Sequence, residues 1–408
     1  MTTGSTVQGL RSPAMRHVLT HLITPLLMCL GMGLAYLGAF AAPSPHHLPV
    51  AVVGTTAEVK VFAQTVQDKA GNALDVRTVP DRQTAADELM ARDISGAYIP
   101  GAHPEVLVAA AGSDTSATVV EQIFTPVAAA QGAPLTITDL APTAHGDPTG
   151  QALFFLLVAV SIGSYASVAV LGGVGGSLPM KLRALLVVGT SFVVSLLGAL
   201  FAGPLFHLVS HGLWGVWAMS WLYSAGILFV GVGLHTFLKR WTTLGVMVLF
   251  VMLNFTSSGG IYEPALQNGF FGSLHAFWNG AGYLEGNRDL VYFHSHGLPR
   301  GIWTLAIWLV VGLAVTTIAG VVERCRAAAA SDAALSDGVA SGAVVSDTVA
   351  LPVLAGATAV DAATVLRTAA PVGADKRQAG AAERAVRAER AEQVEEDVEE
   401  EVEEAVGV

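Results

Sequence analysis

The chain has 408 residues, of which 52% are hydrophobic and only 13% are charged. Soluble domains contain about 25% charged residues, so this deficit excludes a purely soluble enzyme. Several nearly uncharged stretches are about 20 residues long, enough for a helix to cross a hydrocarbon core of about 30 Å. The composition therefore predicts a polytopic membrane protein.

The net charge of −11 is concentrated near the C-terminus. Nine acidic residues and no basic residue lie between Glu392 and Glu404. A nucleic-acid-binding protein shows a basic patch, and none is visible in this sequence, so we expect no nucleic-acid partner. With only two cysteines, Cys29 and Cys325, a disulfide-built extracellular fold is excluded.

The N-terminal region begins with a short polar stretch at 1–17, followed by an apolar run at 18–42. The run ends in Ala-Phe-Ala-Ala, small residues that would also suit cleavage of a signal peptide. Its length exceeds the usual apolar core of a signal peptide, which is about 7–15 residues. We therefore predict a cytoplasmic N-terminus and a first transmembrane helix at 18–42, with a cleaved signal peptide as the alternative.

Residues 43–150 differ in character, because charges return and short apolar runs alternate with polar stretches of helical periodicity. We expect strands at 48–54, 75–79, 96–99, 105–110 and 135–140, and helices at 56–69, 83–92 and 116–130. Strands alternating with helices are typical of an α/β domain. The sequence thus predicts an extracytoplasmic α/β domain inserted between the first two membrane helices.

Five further apolar segments complete a predicted α-helical membrane protein with six transmembrane helices. They lie at 152–174, 185–206, 216–238, 243–253 (continuing toward Ser258) and 302–322, within a membrane domain at 151–325. The remaining residues, 326–408, contain few large apolar side chains and cannot bury enough surface to offset their ordering entropy. We expect them to form a disordered, acidic cytoplasmic tail.

The distribution of basic residues predicts the orientation, because short loops with Lys or Arg stay in the cytoplasm. Such residues precede the first helix, follow the last, and lie in two of the short loops: Arg11, Arg16, Lys181, Arg183, Lys239, Arg240, Arg324 and Arg326. All fall on one side of a six-helix arrangement. We therefore expect a multi-pass protein of the cell membrane with both termini in the cytoplasm and with the α/β domain outside.

No motif for bond chemistry is complete in the sequence. The glycine cluster at 172–176 lacks the Gly-Lys-Ser/Thr ending of a phosphate-binding loop. The histidine pairs His46–His47 and His294/His296 lack the accompanying cysteines or carboxylates of a metal site. No Gly-x-Ser-x-Gly nucleophile elbow occurs with triad partners. We expect no enzymatic activity, no catalytic residues, no metal and no cofactor.

The segment 259–300 is rich in glycine and aromatic residues and reads neither as a soluble loop nor as a membrane span. Large apolar side chains recur in it at helical spacing: Phe270, Phe271, Leu274, Phe277 and Trp278. Segments too short to cross a membrane and too apolar for water indicate a re-entrant or interfacial helical hairpin. An ordinary extracytoplasmic loop packed on its neighbours is the alternative.

This layout resembles a branch of the type-2 ABC exporter permeases that includes the phage-infection-protein-like membrane proteins. The stretch TSSGGIYEPALQNGFFGSLHAFWNGAGYLEGNRDLVYF, residues 256–293, is similar to that family's penultimate segment. The resemblance covers 18–325 in layout and only this stretch closely in sequence. It implies a pair of six-helix permeases driven by separate ATPase subunits. It also implies an extracytoplasmic re-entrant element at 261–293 and a cytoplasmic coupling loop at 177–184.

The leading hypothesis is therefore an export permease in the lipid bilayer, a homodimer that moves a hydrophobic or amphipathic substrate outward with a separate cytoplasmic ATPase. The five hairpin side chains would line or close the outer exit. In the coupling loop, Pro179 adds stiffness, while Lys181 and Arg183 would face the ATPase; alternatively, these two charges serve only as topological signals. A non-transporting receptor or cell-envelope assembly factor and an intramembrane enzyme stay open as alternatives.

Overall fold

A computed structural model describes residues 13–346 of the chain. Helix α1 (Pro13–Phe40) comes first and is followed by an α/β domain and a bundle of helices. The domain contains β1 (Leu48–Val53), α2 (Ala57–Ala70), β2 (Leu74–Val79), α3 (Arg82–Met90), β3 (Gly96–Ile99), β4 (Glu105–Val108), α4 (Asp114–Ala130) and β5 (Thr136–Asp139). The bundle contains α5 (Ala152–Gly172), α6 (Met180–Leu200), α7 (Leu213–Leu238), α8 (Thr242–Ser257), α9 (Gly269–His275), α10 (Asn279–Tyr292) and α11 (Leu298–Ser346).

The five strands form one sheet in the order β2-β1-β3-β4-β5. Neighbouring strands are parallel except for β3 and β4, which are antiparallel. One face of the sheet packs against α2 and α4 through a cluster in which Phe124 stacks on Tyr98 with 4.8 Å between ring centroids. The other face packs against α3 around Leu89. The predicted α/β region is thereby confirmed, and its strands and helices agree with the expected ones to within two residues at each end.

Side-chain caps explain where the domain's helices begin. Thr56, Asp81 and Ser113 have extended backbones and accept hydrogen bonds from backbone N–H groups three residues later. These contacts satisfy N–H groups that have no partner within the helix. The helices therefore start at residues that the sequence itself marks.

Within residues 13–346, five helices are long and apolar enough to cross a membrane by length and composition: Leu22–Phe40, Ala152–Gly172, Met180–Leu205, Leu213–Leu238 and Leu298–Ala333. This is consistent with a polytopic membrane protein. The predicted fifth segment forms the shorter apolar helix α8. Helix α7 lies at the centre of the bundle, since 67% of its most apolar stretch is buried, against 11% for α1.

The largest differences in element boundaries are at α1, α6 and α11. Helix α1 starts at Pro13 rather than at 18, so it includes part of the predicted polar N-terminus. Helix α6 starts at Met180 rather than at 185, because the extended backbone of Pro179 caps it and the helical turn begins directly afterwards. Helix α11 continues to Ser346, past position 326, where the sequence predicts the start of a disordered tail. The rest of that tail, 347–408, and most of the predicted N-terminal region, 1–12, lie outside the described residues.

The α/β domain contacts one end of the bundle, which we call the domain end. The Asp147 carboxylate accepts hydrogen bonds from the backbone N–H groups of Gln151 and Ala152 and so caps α5 at this end. The Tyr292 hydroxyl, at the end of α10, accepts a hydrogen bond from the Ala144 backbone. The loops 173–179 and 239–241 lie at the opposite end of the bundle.

Candidate functional site

Helix α8 stops at Ser257, and a segment without α-helix, 258–268, follows it against the α/β domain, with one short 3₁₀ turn at Pro264–Leu266. The backbone N–H groups of Ser44 and His46 donate hydrogen bonds to the carbonyls of Leu266 and Ala265 in this segment. The chain therefore reaches the domain end although α8 is short. Helices α9 and α10 then turn back into the bundle.

Two tryptophan hydrogen bonds locate the turn between α9 and α10. Trp278 Nε1 donates to the Leu249 carbonyl, 3.1 Å away and halfway along α8. Trp308 Nε1, well inside α11, donates to the Phe277 carbonyl at 2.9 Å. The turn thus lies beside the middle of α8, and α9 and α10 form a hairpin, with 7 and 14 residues, that enters and leaves the bundle at the domain end.

The hairpin side chains predicted to share an exit surface lie on two sides. Phe270 and Phe277 are 61% and 54% exposed. Phe271 and Trp278 are buried, and Leu274 is half-buried. Residues seven apart share a helical face while their neighbours point elsewhere, so apolar spacing alone grouped side chains that the fold separates.

A buried polar network supports the break in the bundle. Asn254 Nδ2 donates to the Tyr223 hydroxyl at 2.5 Å, and Asn254 Oδ1 accepts from the Gly280 N–H at 2.6 Å. Trp278, the residue before α10, offers no side-chain acceptor, so Asn254 caps α10 in its place. Tyr223 also shares a hydrogen bond with Ser161.

A second buried tyrosine extends this network. Tyr283 shares a hydrogen bond with Ser220 at 3.0 Å, and its ring centroid lies 4.7 Å from that of Tyr223. Asn279, the first residue of α10, is fully buried, and neither polar atom of its side chain has a partner within the described residues. A buried amide without a partner is destabilising, which makes Asn279 a candidate contact for another molecule.

A cluster of charged side chains joins the α/β domain to the hairpin. The Arg92 guanidinium, which follows α3, pairs with Glu285 and with Asp289, the latter at 3.1 Å. The guanidinium also lies 5.2 Å from the centroid of the Phe293 ring. Together with Arg288 and Glu263, described next, Arg92, Glu285 and Asp289 form what we call the Arg92 cluster.

The remaining members secure the cluster on both sides. Arg288 donates to Glu285 and to the Gly259 carbonyl, at 3.0 Å each. The Glu263 carboxylate accepts hydrogen bonds from two serines of the domain, Ser116 at 2.5 Å and Ser95 at 3.4 Å. A cavity of about 30 Å³ remains beside these groups, which has room for water but not for an organic ligand.

The cluster perturbs the pKa values of its members in opposite directions. Burial disfavours the charge on Glu285, but Arg92 and Arg288 outweigh it and lower the pKa of Glu285 to about 2. Burial dominates at Asp289 and raises the pKa of that carboxyl despite Arg92. Burial also lowers the pKa of His275, whose Nδ1–H donates to the Ser257 carbonyl. Glu285 is therefore the firmly ionised partner of the two arginines.

At the opposite end of the bundle, the predicted coupling residues separate. Pro179 and Lys181 are exposed, but Arg183 is buried and pairs with Glu323 of α11. Glu323 also accepts a hydrogen bond from Thr236 of α7 at 2.7 Å. The expectation that Arg183 faces a partner therefore needs correction: its charge is used to join α6 to α11, because Met180 starts a helix that turns Arg183 inward.

The Arg92 cluster was not among the sites predicted from the sequence. Its only local signal is the close spacing of Glu285, Arg288 and Asp289, whereas Arg92 lies in a different domain.

Within the described residues, no group of three or more His, Cys, Asp or Glu side chains could hold a metal ion. The part of the chain that the structure describes is mostly helical, with five candidate membrane spans and an α/β domain. No known protein family, no characterised protein and no solved structure matches this chain.

Proposed function

We propose that the chain is the membrane permease subunit of an ABC-type exporter that moves a hydrophobic or amphipathic substrate outward with a separate cytoplasmic ATPase. The observation that supports this most is the broken segment, in which α8 stops and the hairpin of α9 and α10 returns to its middle. Transporters often build their sites from discontinuous helices. Non-helical backbone at membrane depth is tolerated only where protein or water surrounds it.

In this proposal the hairpin is a re-entrant element, the domain end is extracytoplasmic and both termini are cytoplasmic. Tryptophans favour the two membrane interfaces, and Trp214 and Trp303 are exposed near the domain end while Trp241 is exposed at the other. The sixth span is then α8, completed by the segment that follows it. The basic residues of the loops at the opposite end agree with this orientation.

The hairpin offers an amphipathic substrate two kinds of contact. The exposed rings of Phe270 and Phe277 present apolar surface. Asn279 supplies an unpaired donor and acceptor at the turn, which would meet a polar group once the hairpin moves. Phe271, Leu274 and Trp278 position the hairpin against the bundle instead of lining an exit.

At the cytoplasmic end, Lys181 is an exposed charge that an ATPase could contact, close to the stiff residue Pro179. Arg183 would pass the movement of α6 to α11 through its pair with Glu323. The poorly buried helix α1 leaves an apolar face for lipid or for the second copy of a homodimer.

The test is purification of the tagged chain from its native membrane, followed by measurement of ATP hydrolysis in the purified complex. We expect an ATPase subunit to co-purify with the parent chain. The Lys181→Gln variant should reduce its recovery severalfold, while Lys239→Gln, the same change on an exposed lysine of the other loop, should not. Absence of any ATPase from the parent complex would contradict the exporter and favour a receptor or assembly factor. Equal recovery with both variants would show that Lys181 is only a topological signal.

A further inference from the structure

We propose that the Arg92 cluster is a releasable latch between the α/β domain and the hairpin, and that the structure shows the latch closed. The latch goes beyond the transport function, because it concerns how the two parts separate and does not depend on any transported substrate. Four observations support it: the convergence of charges on one arginine, the backbone of that arginine, the polarity of the contact and the connections on either side.

Three carboxylates from the hairpin region act on Arg92, a single side chain of the domain. Glu285 and Asp289 pair with it directly, and Glu263 adds to the negative field around it. Burial opposes the charge of Arg92, but these carboxylates raise its pKa above the ordinary value. The guanidinium is therefore a permanent charge whose partners all lie across the contact.

The backbone of Arg92 lies in the left-handed region, with φ of 65° just after α3 ends. Glycine is the usual residue at such a helix end, because a Cβ is strained in this backbone conformation. An arginine at this position weakens the domain's own turn. The compensation lies in its side chain, which contacts the hairpin rather than the domain.

The contact is polar compared with the cores on either side. Its apolar part is a small cluster of Ala111, Ala141 and Phe293 with Met90 and Tyr292 packed on it, and Ala265 adds a contact with the domain core. Buried ion pairs contribute little net stability relative to apolar packing, because their charges must give up water. When the contact opens, its charged groups are hydrated again. The two parts can therefore separate at modest free-energy cost, as is common for polar interdomain contacts.

The connections allow such a movement. Residues 41–47 lead from α1 into the domain and 140–151 lead out of it, and neither stretch contains a helix or strand. Asp147 caps α5 from within the second connection, so the bundle keeps its own cap when the domain moves. The first connection stays attached to the segment after α8 through the backbone hydrogen bonds of Ser44 and His46, so the domain pivots there and opens on the side of the Arg92 cluster while its sheet and the bundle stay folded.

The test measures a distance between the domain and the bundle. Spin labels are placed at Val61→Cys on α2, where the side chain is 67% exposed, and at Trp214→Cys on α7, after Cys29 and Cys325 are changed to serine. In purified full-length protein, pulsed electron resonance should give one narrow distance distribution for the closed latch. Arg92→Gly should add a longer or much broader component, although glycine suits the backbone there better than arginine.

Two further variants separate the latch from general loss of structure. Glu285→Gln, which weakens the same contact from the hairpin side, should broaden the distribution in the same way. Arg82→Gln removes another arginine ion pair of the domain, with Glu105, and should leave the distribution narrow. An unchanged distribution in both Arg92→Gly and Glu285→Gln would overturn the latch. Loss of cooperative unfolding of the domain in Arg92→Gly would overturn it as well, since Arg92 would then belong to the domain's own fold.

Discussion

The α/β domain buries apolar side chains on both faces of its sheet, around Tyr98 and Phe124 on one face and around Leu89 on the other, whereas the bundle also buries a series of polar ones. Within the bundle, Asn254 and Tyr223 are fully buried and hydrogen-bonded to each other. A buried polar group needs a hydrogen-bond partner. The bundle supplies such partners inside its core, whereas the core of the domain contains mainly apolar side chains.

The outer surfaces have the opposite distribution: the bundle exposes apolar side chains and the domain exposes charged ones. Leu185 and Val310 on the bundle are 66% and 64% exposed, which suits contact with lipid chains. The domain instead carries exposed ion pairs such as Arg82–Glu105. In lipid there is no hydrophobic driving force between helices, because lipid chains are as apolar as the side chains. Close packing and interhelical hydrogen bonds stabilise their association instead. Four substitutions test this contrast, from the largest expected effect to the smallest.

Phe124→Ala should destabilise the domain most. The ring is fully buried and stacks on Tyr98, so its removal leaves a cavity and should lower the free energy of unfolding by about 3–5 kcal/mol. Chemical denaturation of the purified protein, followed by the circular dichroism of the domain, measures this. Leu185→Ala truncates an exposed side chain of the bundle and should change stability by less than about 0.5 kcal/mol. Equal losses in both variants would mean that the bundle surface packs against protein.

Asn254→Ala should be the most damaging polar change in the bundle. It removes the hydrogen bond that Asn254 donates to the Tyr223 hydroxyl and leaves the Gly280 N–H of α10 without a partner. We expect the free energy of unfolding to fall by about 1–3 kcal/mol. The thermal midpoint in detergent should fall, and amide exchange at the start of α10 should accelerate. Asn72→Ala, at an exposed asparagine of the domain, serves as the control. If amide exchange in α10 stays at the parent rate, Asn254 does not hold the hairpin.

Ser164→Ala should have a smaller effect. Ser164 and Ser224 share a hydrogen bond at 2.8 Å between α5 and α7, and such contacts average about 0.6 kcal/mol in membrane proteins. A double-mutant cycle with Ser224→Ala in detergent unfolding isolates the coupling. A coupling above about 2 kcal/mol would show that this pair has no alternative partners in the unfolded state.

The weakest expected effect is the pH dependence of the Arg82–Glu105 pair. The hydrogen bond from Arg82 lowers the pKa of Glu105, against some burial. The pair's stabilisation is therefore complete above the ordinary glutamate pKa and is lost as the pH falls through the lowered one. Because Arg82 is half exposed, we expect less than about 1 kcal/mol. The stability difference between the parent and Arg82→Gln should shrink on going from about pH 7 to about pH 3. A difference that grows on acidification would exclude this pair as its source.

Local patterns predicted the individual elements well. Apolar runs and helical periodicity predicted the strands and helices of the domain, because these signals act within a few residues. The helix predicted from 116 starts instead at Asp114, directly after its cap Ser113. The apolar stretches likewise predicted the long helices, since length and composition alone decide whether a segment suits a membrane. Predictions that depended on a contact between residues distant in the chain were less accurate. Arg183 reads as a free loop charge in the sequence, yet it is paired with Glu323.

The sequence by itself determined the α/β region, the apolar helices and the end of the fifth apolar segment near Ser258, because each follows from composition and periodicity over a short stretch. Only the tertiary structure decided where the hairpin turns, which of Phe270 and Phe271 is buried, and that Arg92 meets Glu285 and Asp289. A guanidinium finds its carboxylates by distance in space, and nearly two hundred positions separate Arg92 from Asp289 along the chain. Periodicity reports which face of an element is apolar, but the neighbour that covers that face is set by the packing of the whole chain.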